Sequence, residues 1–375
     1  MAVLTEEQTM LRDAAKGWAS ESAPVGALRK LRDGKSKQSF DPAAWAEMGE
    51  MGWAGVIVPE DHDGSAFGYL GLGLILEETG RTLAASPLLS TAMIAASALT
   101  LGGSDAQKSA WLPKIATGAA VATLAVDEGS HHNPARTALT ATKDGAGYVL
   151  NGTKTFVLDG EAADLLIVVA RTGAAGTEGL TLFLVPGDAP GVTRTHLSLL
   201  DSRGAARIAF DGVEVGTDAV LGEVDKGWAV LEPVLDRAYA GLAAEMLGSA
   251  LAAFDITLDY IKTRTQFGQV IGTFQALQHR AAKWFTDLET TRSCVEAALE
   301  ALDAGGDSRA LASLAKAKAS DLVHLASNEM VQMHGGIGMT DAHDSGLFMK
   351  RARVTEALFG GASFHRDRYA RLMGF

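Results

Sequence analysis

The chain has 375 residues, a size for two or three domains rather than one small core. Its 33 basic against 45 acidic residues leave a formal net charge of −12, which excludes a general nucleic-acid binder, whose affinity needs a dense basic surface. The single cysteine, Cys294, excludes a disulfide framework and a cysteine-built zinc site.

The opening residues carry acids early and lack the apolar stretch of a signal peptide. Apolar runs farther on break before the roughly 18 residues of a membrane span. The expectation is a cytoplasmic protein without a span. Thr5, with Gln8 three residues later, reads as a capping box at a helix start. Helical spacing then recurs over 42–51, 69–82, 92–101 and 105–115, so residues 1–118 are expected to form an N-terminal α-helical domain. Residues 119–225 change texture: short runs rich in Val, Thr, Leu and Ile alternate with turn sequences, which predicts a central antiparallel β-barrel or sandwich. Residues 226–375 return to helical patterning over 228–264, 274–304, 308–335 and 346–360, an up-and-down four-helix bundle. The fold class is α+β and multidomain.

Two stretches can carry chemistry. In the first, Arg264 follows a long helix and precedes Thr-Gln-Phe267-Gly, with a new helix near Phe274 and Gln275. An Arg there can hold a phosphate by a forked, charge-assisted pair, and a helix N-terminus adds a positive dipole; the alternative is an ordinary interhelical turn. In the second, Gln332-Met-His-Gly335-Gly336-Ile-Gly338 closes another helix with three glycines in four positions. One glycine suffices for a C-cap, so three point to close approach of backbone N–H groups to a ligand.

The domain order, R-x-Q-F-G-x-x-I-x-x-F-Q and Q-x-H-G-G-x-G together resemble the flavin-dependent acyl-CoA dehydrogenases. The resemblance extends over nearly the whole chain, including Glu77 to Arg81 and Asn151 to Val157. It implies FAD as cofactor, an acyl-CoA thioester as substrate, and oxidation at Cα–Cβ to the 2-enoyl-CoA. It also implies electron transfer to an electron-transfer flavoprotein or similar acceptor. Arg264 and Phe267 would meet the pyrophosphate, and Gln275 with the Gln332–Gly336 loop (Gly335 included) would meet FAD on the partner subunit. Asp127 would lie on the flavin-contacting strand and Phe156 would be the stacking aromatic. Asp236, with Arg237 and Tyr239, would lie at the acyl-CoA.

The departures bear on catalysis. Asp127 and Leu158 stand where relatives carry hydroxyls toward the flavin. Relatives place the catalytic Glu either before the last helix or on the first bundle helix; here those positions hold Phe359 and Ala238. Asp236 is the nearest substitute base, although it sits about 200° around a helix from Ala238; Glu245 shares the face but lies about 10 Å along the axis. Either acid can instead be a paired structural carboxylate. Two assemblies fit: an active homotetramer, or a catalytically silent, FAD-supporting subunit of an α2β2 heterotetramer. The small residues Ala238, Ala240, Gly241, Ala243 and Ala244 either make room for a branched or steroid-derived acyl group or permit close helix packing.

The remaining candidates read as structure. His131-His132 is expected in a solvated loop rather than at a metal, Asp341 to Asp344 as a helix cap, and Lys350 to Arg353 as a solvated face.

Overall fold

The computed structural model describes residues 3–34 and 40–375. The helices before the sheet are α1 (Glu6–Glu21), α2 (Val25–Asp33), α3 (Pro42–Glu50), α4 (Tyr69–Arg81), α5 (Ala96–Gly102) and α6 (Asp105–Ala116). The sheet strands are β1 (Ala122–Ala125), β2 (Thr140–Asp144), β3 (Gly147–Leu158), β4 (Leu165–Arg171), β5 (Leu180–Pro186), β6 (Val192–Ser198), β7 (Gly204–Gly216) and β8 (Val220–Leu221). Helix α7 (Trp228–Thr263), a two-strand hairpin β9 (Thr265–Gln266) and β10 (Gln269–Val270), and helices α8 (Gln275–Asp303), α9 (Arg309–His334), α10 (Ser345–Ala357) and α11 (Ala362–Leu372) follow. By internal contacts the chain divides into a helical unit (1–29, 73–84 and 239–375) and a sheet unit (30–72 and 85–238).

In the sheet unit the hydrogen-bonded path runs β6-β7-β3-β2-β4-β5-β8 and is antiparallel along most ladders. Strand β1 departs from the antiparallel expectation by pairing parallel with β4, Ala122 opposite Leu165 through Ala125 opposite Val168. A parallel pair needs a long crossover, and the β2–β3 hairpin between the two strands supplies it. All four β1 residues are buried. Thr91 anchors this strand: its Oγ1 donates to the Ala122 carbonyl at 2.9 Å and accepts from the Ala122 N–H at 3.0 Å. Thr91 belongs to a π-helical stretch, Leu88–Ala95, that leads into α5 and that apolar spacing alone did not distinguish from an ordinary helix.

The capping box at Thr5 is present, with Gln8 returning to the Thr5 N–H at 3.0 Å. In the helical unit α4 and α7 meet through glycine: a Cβ on Gly80 would strike the Glu245 carbonyl, and one on Gly248 the Glu77 carbonyl. These glycines are therefore required by the close approach of two helix backbones. The C-terminal region carries α11 in addition to the four helices expected, because the segment after Gly361 continues as helix. Helix α7 is the one described helix long and apolar enough to cross a membrane, and 78% of its most apolar window is buried within the protein. Core packing accounts for that apolarity.

Candidate active site and dinucleotide cavity

Helix α7 stops at Thr263, and the hairpin turn is made by Phe267 (φ 54°) and Gly268 (φ 79°). Two consecutive left-handed residues are what a tight two-residue hairpin turn demands. Phe267 takes that conformation without being glycine and is 89% exposed. The Ile271 N–H donates to the Arg264 carbonyl at 2.8 Å and closes the hairpin base. The exposed Arg264 guanidinium meets no acceptor among the described residues. At the other wall α9 ends at His334, and Gly335 follows with φ 64°.

Arg264, Phe267, Phe274, Gln332, Gly335 and Gly336 together line a cavity of about 310 Å³. The two motifs, far apart in sequence, thus serve one site, of a size suited to a small ligand or part of one. Gln275 is exposed at the start of α8 and is not among the lining residues. Sequence reasoning missed Arg280, which lines the cavity while paired with Glu329 at 2.7 Å, and passed over His334 inside its own motif.

The residues fit a dinucleotide. The left-handed backbone of Gly335 (φ 64°) itself favours glycine, whereas a Cβ on Gly336 would meet nothing within 4 Å, so neither conformation nor packing requires glycine at 336. The space a side chain would fill is left to an approaching ligand, beside an open guanidinium suited to phosphate.

The sheet unit holds the second group. Phe156 lies at a register shift in the β3–β7 ladder, has φ 53° and is 42% exposed. Its neighbour Thr155 donates its N–H to the Asp127 carbonyl at 2.7 Å, so Asp127 and Phe156 are brought side by side. Strained backbone and an exposed aromatic beside polar groups are common features of ligand sites. His132, expected in solvent, is instead 8% exposed, with Nδ1 at 2.9 Å from both Asp127 carboxylate oxygens. A partner five residues back draws the ring inward. Lys154, on β3 with Phe156, is buried and donates to Glu128 at 2.7 Å and to the Val126 carbonyl at 3.1 Å. Burial pulls its pKa down to about 8, against the opposite effect of Glu128.

The candidate bases divide cleanly. Phe359 (7% exposed, φ 53°) and Ala238 (0%) stand at the two positions where a carboxylate was sought. Glu245 is engaged by Arg351 through Nε to Oε1 at 2.9 Å and Nη2 to Oε2 at 3.0 Å. Arg351 is therefore buried, contrary to the solvated face expected of Lys350 to Arg353, because its partner lies on α7. Asp344 stands at the start of α10 without a side-chain cap bond and binds Arg29 at 2.7 Å, so it ties helices together rather than capping one.

The three residues expected at the acyl-CoA are held tightly. Asp236 is 2% exposed. Arg237 Nε donates to the Tyr69 hydroxyl at 2.7 Å and lies over the Tyr69 ring at 4.8 Å. Tyr239 is 2% exposed, packs edge-on against His365 at 4.5 Å and lies under Arg368 at 5.4 Å. The turn around Phe359 is tied from two sides. Lys316 Nζ donates to the Gly360 carbonyl at 3.0 Å, and His365 Nε2 lies 3.0 Å from the Phe359 carbonyl. Burial lowers the Lys316 pKa to about 7. Ala238, Ala240, Ala243 and Ala244 are 0–1% exposed.

Family models for the N-terminal, middle and C-terminal domains of acyl-CoA dehydrogenases match residues 5–119, 122–213 and 225–374. The chain belongs to the acyl-CoA dehydrogenase family. These are FAD-dependent oxidoreductases acting on acyl-CoA. A probable acyl-CoA dehydrogenase of Bacillus subtilis is 31% identical over 97% of this chain and 97% of its own. Among solved structures, the Tcur3481-Tcur3483 steroid ACAD is similar at 32% identity and TM-score 0.89, covering 98% of each chain. The ChsE4-ChsE5 complex from Mycobacterium tuberculosis is similar at 28% identity and TM-score 0.90, covering 100% of each.

Proposed function

We propose that this chain is the base-less partner in a cytoplasmic α2β2 acyl-CoA dehydrogenase. The assembly oxidises a bulky acyl-CoA thioester, branched or steroid-derived, to the 2-enoyl-CoA and passes electrons to an electron-transfer flavoprotein or similar acceptor. One contrast supports the reading: Arg264 and Gln332 line one cavity, whereas the family resemblance puts Phe359 and Ala238, neither a carboxylate, at the two usual positions of the base. The bulky substrate is supported by the similar steroid ACAD, and the mixed assembly by the similar two-component complex.

When bound, FAD supplies the hydride acceptor for Cα–Cβ oxidation. Arg264 neutralises phosphate charge, the Gly335–Gly336 backbone admits the ligand closely, and the Gln332 amide offers both donor and acceptor. Phe156 offers a flat apolar face, and Asp127 an acceptor-only group beside it. Removal of an acidified α-proton needs a base in a water-poor pocket, and in this reading the second chain provides it.

A homotetramer using Asp236 as base is the second reading, favoured by the burial of that carboxylate next to the clamped Arg237. Native mass of the chain alone and with a co-expressed acyl-CoA dehydrogenase chain tests the first reading, together with turnover on a panel of acyl-CoA thioesters. A flavin-free or inactive chain that becomes active on co-expression supports it. An FAD-replete homotetramer whose turnover is lost in Asp236→Asn supports the second.

A further inference from the structure

The sheet unit holds a larger cavity, of about 610 Å³, that the sites described above do not use. Ala110 and Trp111 of α6 line it, together with Leu184 of β5, the end of β7 from Glu214 to Gly216, and Asp218 just beyond. A second cavity of about 340 Å³ shares Glu214–Gly216 and adds Asp144. Strand β7 has lost a neighbour here. Strand β6 pairs with it only as far as Phe210, so from Val213 to Gly216 β7 has β3 on one side and no strand on the other among the described residues. Alternate N–H and C=O groups of a strand point to each edge, so this stretch of about 13 Å presents open backbone partners. The end of β5 is closed by contrast: Pro186 has no N–H, and its carbonyl accepts from the Ala189 N–H. Charge at the two cavities is one-sided. Glu214, Asp218 and Asp144 are exposed, have no ion-pair partner among the described residues, and meet no basic lining residue. Lys114, outside the lining, is held over the Trp111 ring at 5.0 Å. A Cβ on Gly216 would strike the Asp218 carboxylate, so glycine lets that acid lie across the strand end.

We propose that this surface docks an extended, basic segment of a partner protein. The segment adds as a strand to the free edge of β7, sets aliphatic side chains against Trp111 and Leu184, and brings Lys or Arg to Glu214 and Asp218. The inference stands apart from the reading of the dinucleotide cavity. Open backbone groups select an extended chain, because main-chain hydrogen bonds supply the affinity when a strand is added to a sheet edge. The apolar lining takes alternate side chains of that chain. The unpaired acids select its charge and reject an acidic competitor. A second copy of this chain is a poor occupant, since its own formal charge is −12.

The test uses the full chain as purified and short fluorescent peptides that alternate Val with Lys, with Ser or with Glu, read by anisotropy. The Lys peptide is expected to bind about tenfold more tightly than the Ser peptide, and the Glu peptide not to bind. Glu214→Lys combined with Asp218→Lys should weaken the Lys peptide more than about tenfold. Glu21→Lys combined with Glu300→Lys makes the same change in net charge at exposed positions of the helical unit and should leave binding as it was. Equal loss in the two double variants would mean attraction to net charge alone and overturns the proposal, as does absence of binding. Methylation of alternate peptide N–H groups separates docking as a strand from capture of charge. The methylated Lys peptide should bind the parent protein about tenfold more weakly, and undiminished binding overturns the proposal. That comparison needs no variant, so it decides even if the Glu214 and Asp218 double variant does not fold. Spermine that displaces the labelled peptide as well as the unlabelled Lys peptide does would assign the surface to a small polyamine and also overturns it.

Discussion

Arg351 grips Glu245 from both ends of its guanidinium, with Nε to Oε1 at 2.9 Å and Nη2 to Oε2 at 3.0 Å, and both side chains are only 5–6% exposed. The pair joins α10 to α7 and settles the role of the one acid that shares a helix face with Ala238: it is a structural anchor. Breaking such a pair strands a buried charge at a cost of roughly 3–5 kcal/mol. Glu245→Ala is therefore expected to lower the unfolding free energy by an amount of that order, measured by urea titration. A change below about 1 kcal/mol would contradict the anchoring role.

Gly336→Ala separates folding from ligand binding. A methyl group there touches nothing in the protein, so the melting temperature without ligand should stay the same or rise slightly. FAD affinity should fall about tenfold as the methyl group enters the ligand's space. Equal affinity in the variant would mean that the backbone at Gly336 does not approach the ligand.

Arg264→Ala removes the open guanidinium at the cavity mouth. The expected loss is about 1.5–3 kcal/mol, the scale of a charged hydrogen bond, read as a roughly ten- to hundredfold rise in the FAD or ADP dissociation constant. The apo protein should be equally stable, since Arg264 pairs with nothing described.

The two halves of the molecule's chemistry were unequally legible in the sequence. Helix starts with local caps, such as Thr5 with Gln8, are short-range patterns and are where the sequence places them, and the motifs around Arg264 and Gln332 line one cavity. Arg351 was read as solvent-facing because the partner that buries it is 106 residues away. His132 was read as a loop residue although its partner Asp127 is only five residues back; an Asp-to-His spacing in a turn sequence was the missed signal. Burial of Asp236 and Tyr239 depends on tertiary packing, which helical periodicity does not reveal.

Two buried ionisable groups give stability a distinctive pH profile. Burial raises the Glu77 pKa to about 7, against the opposing effect of Arg292. The folded state then binds a proton more tightly than the unfolded chain, so this contribution falls as pH rises from about 4.5 to 7. Lys316, lowered from 10.5 to about 7, works in the opposite sense: the unfolded chain holds more protons, and stability rises from pH 7 toward 10.5. The two contributions produce a minimum near neutrality, on the order of 3 kcal/mol for Glu77 and about 5 kcal/mol for Lys316. Glu77→Gln should flatten the acid limb of a denaturation-against-pH curve, and Lys316→Met should reduce the alkaline limb to the part contributed by the buried Lys154, whose pKa is also lowered, to about 8. A limb unchanged by its own variant assigns that slope to another group.

The most direct measurement is anaerobic bleaching of the flavin by bulky acyl-CoA thioesters, made on this chain alone and on the chain co-purified with a second acyl-CoA dehydrogenase chain. If Phe359 and Ala238 occupy the base positions, as the proposed reading holds, the account predicts no bleaching by the chain alone and rapid bleaching by the mixed tetramer. Full bleaching of an FAD-loaded homotetramer of this chain would contradict it.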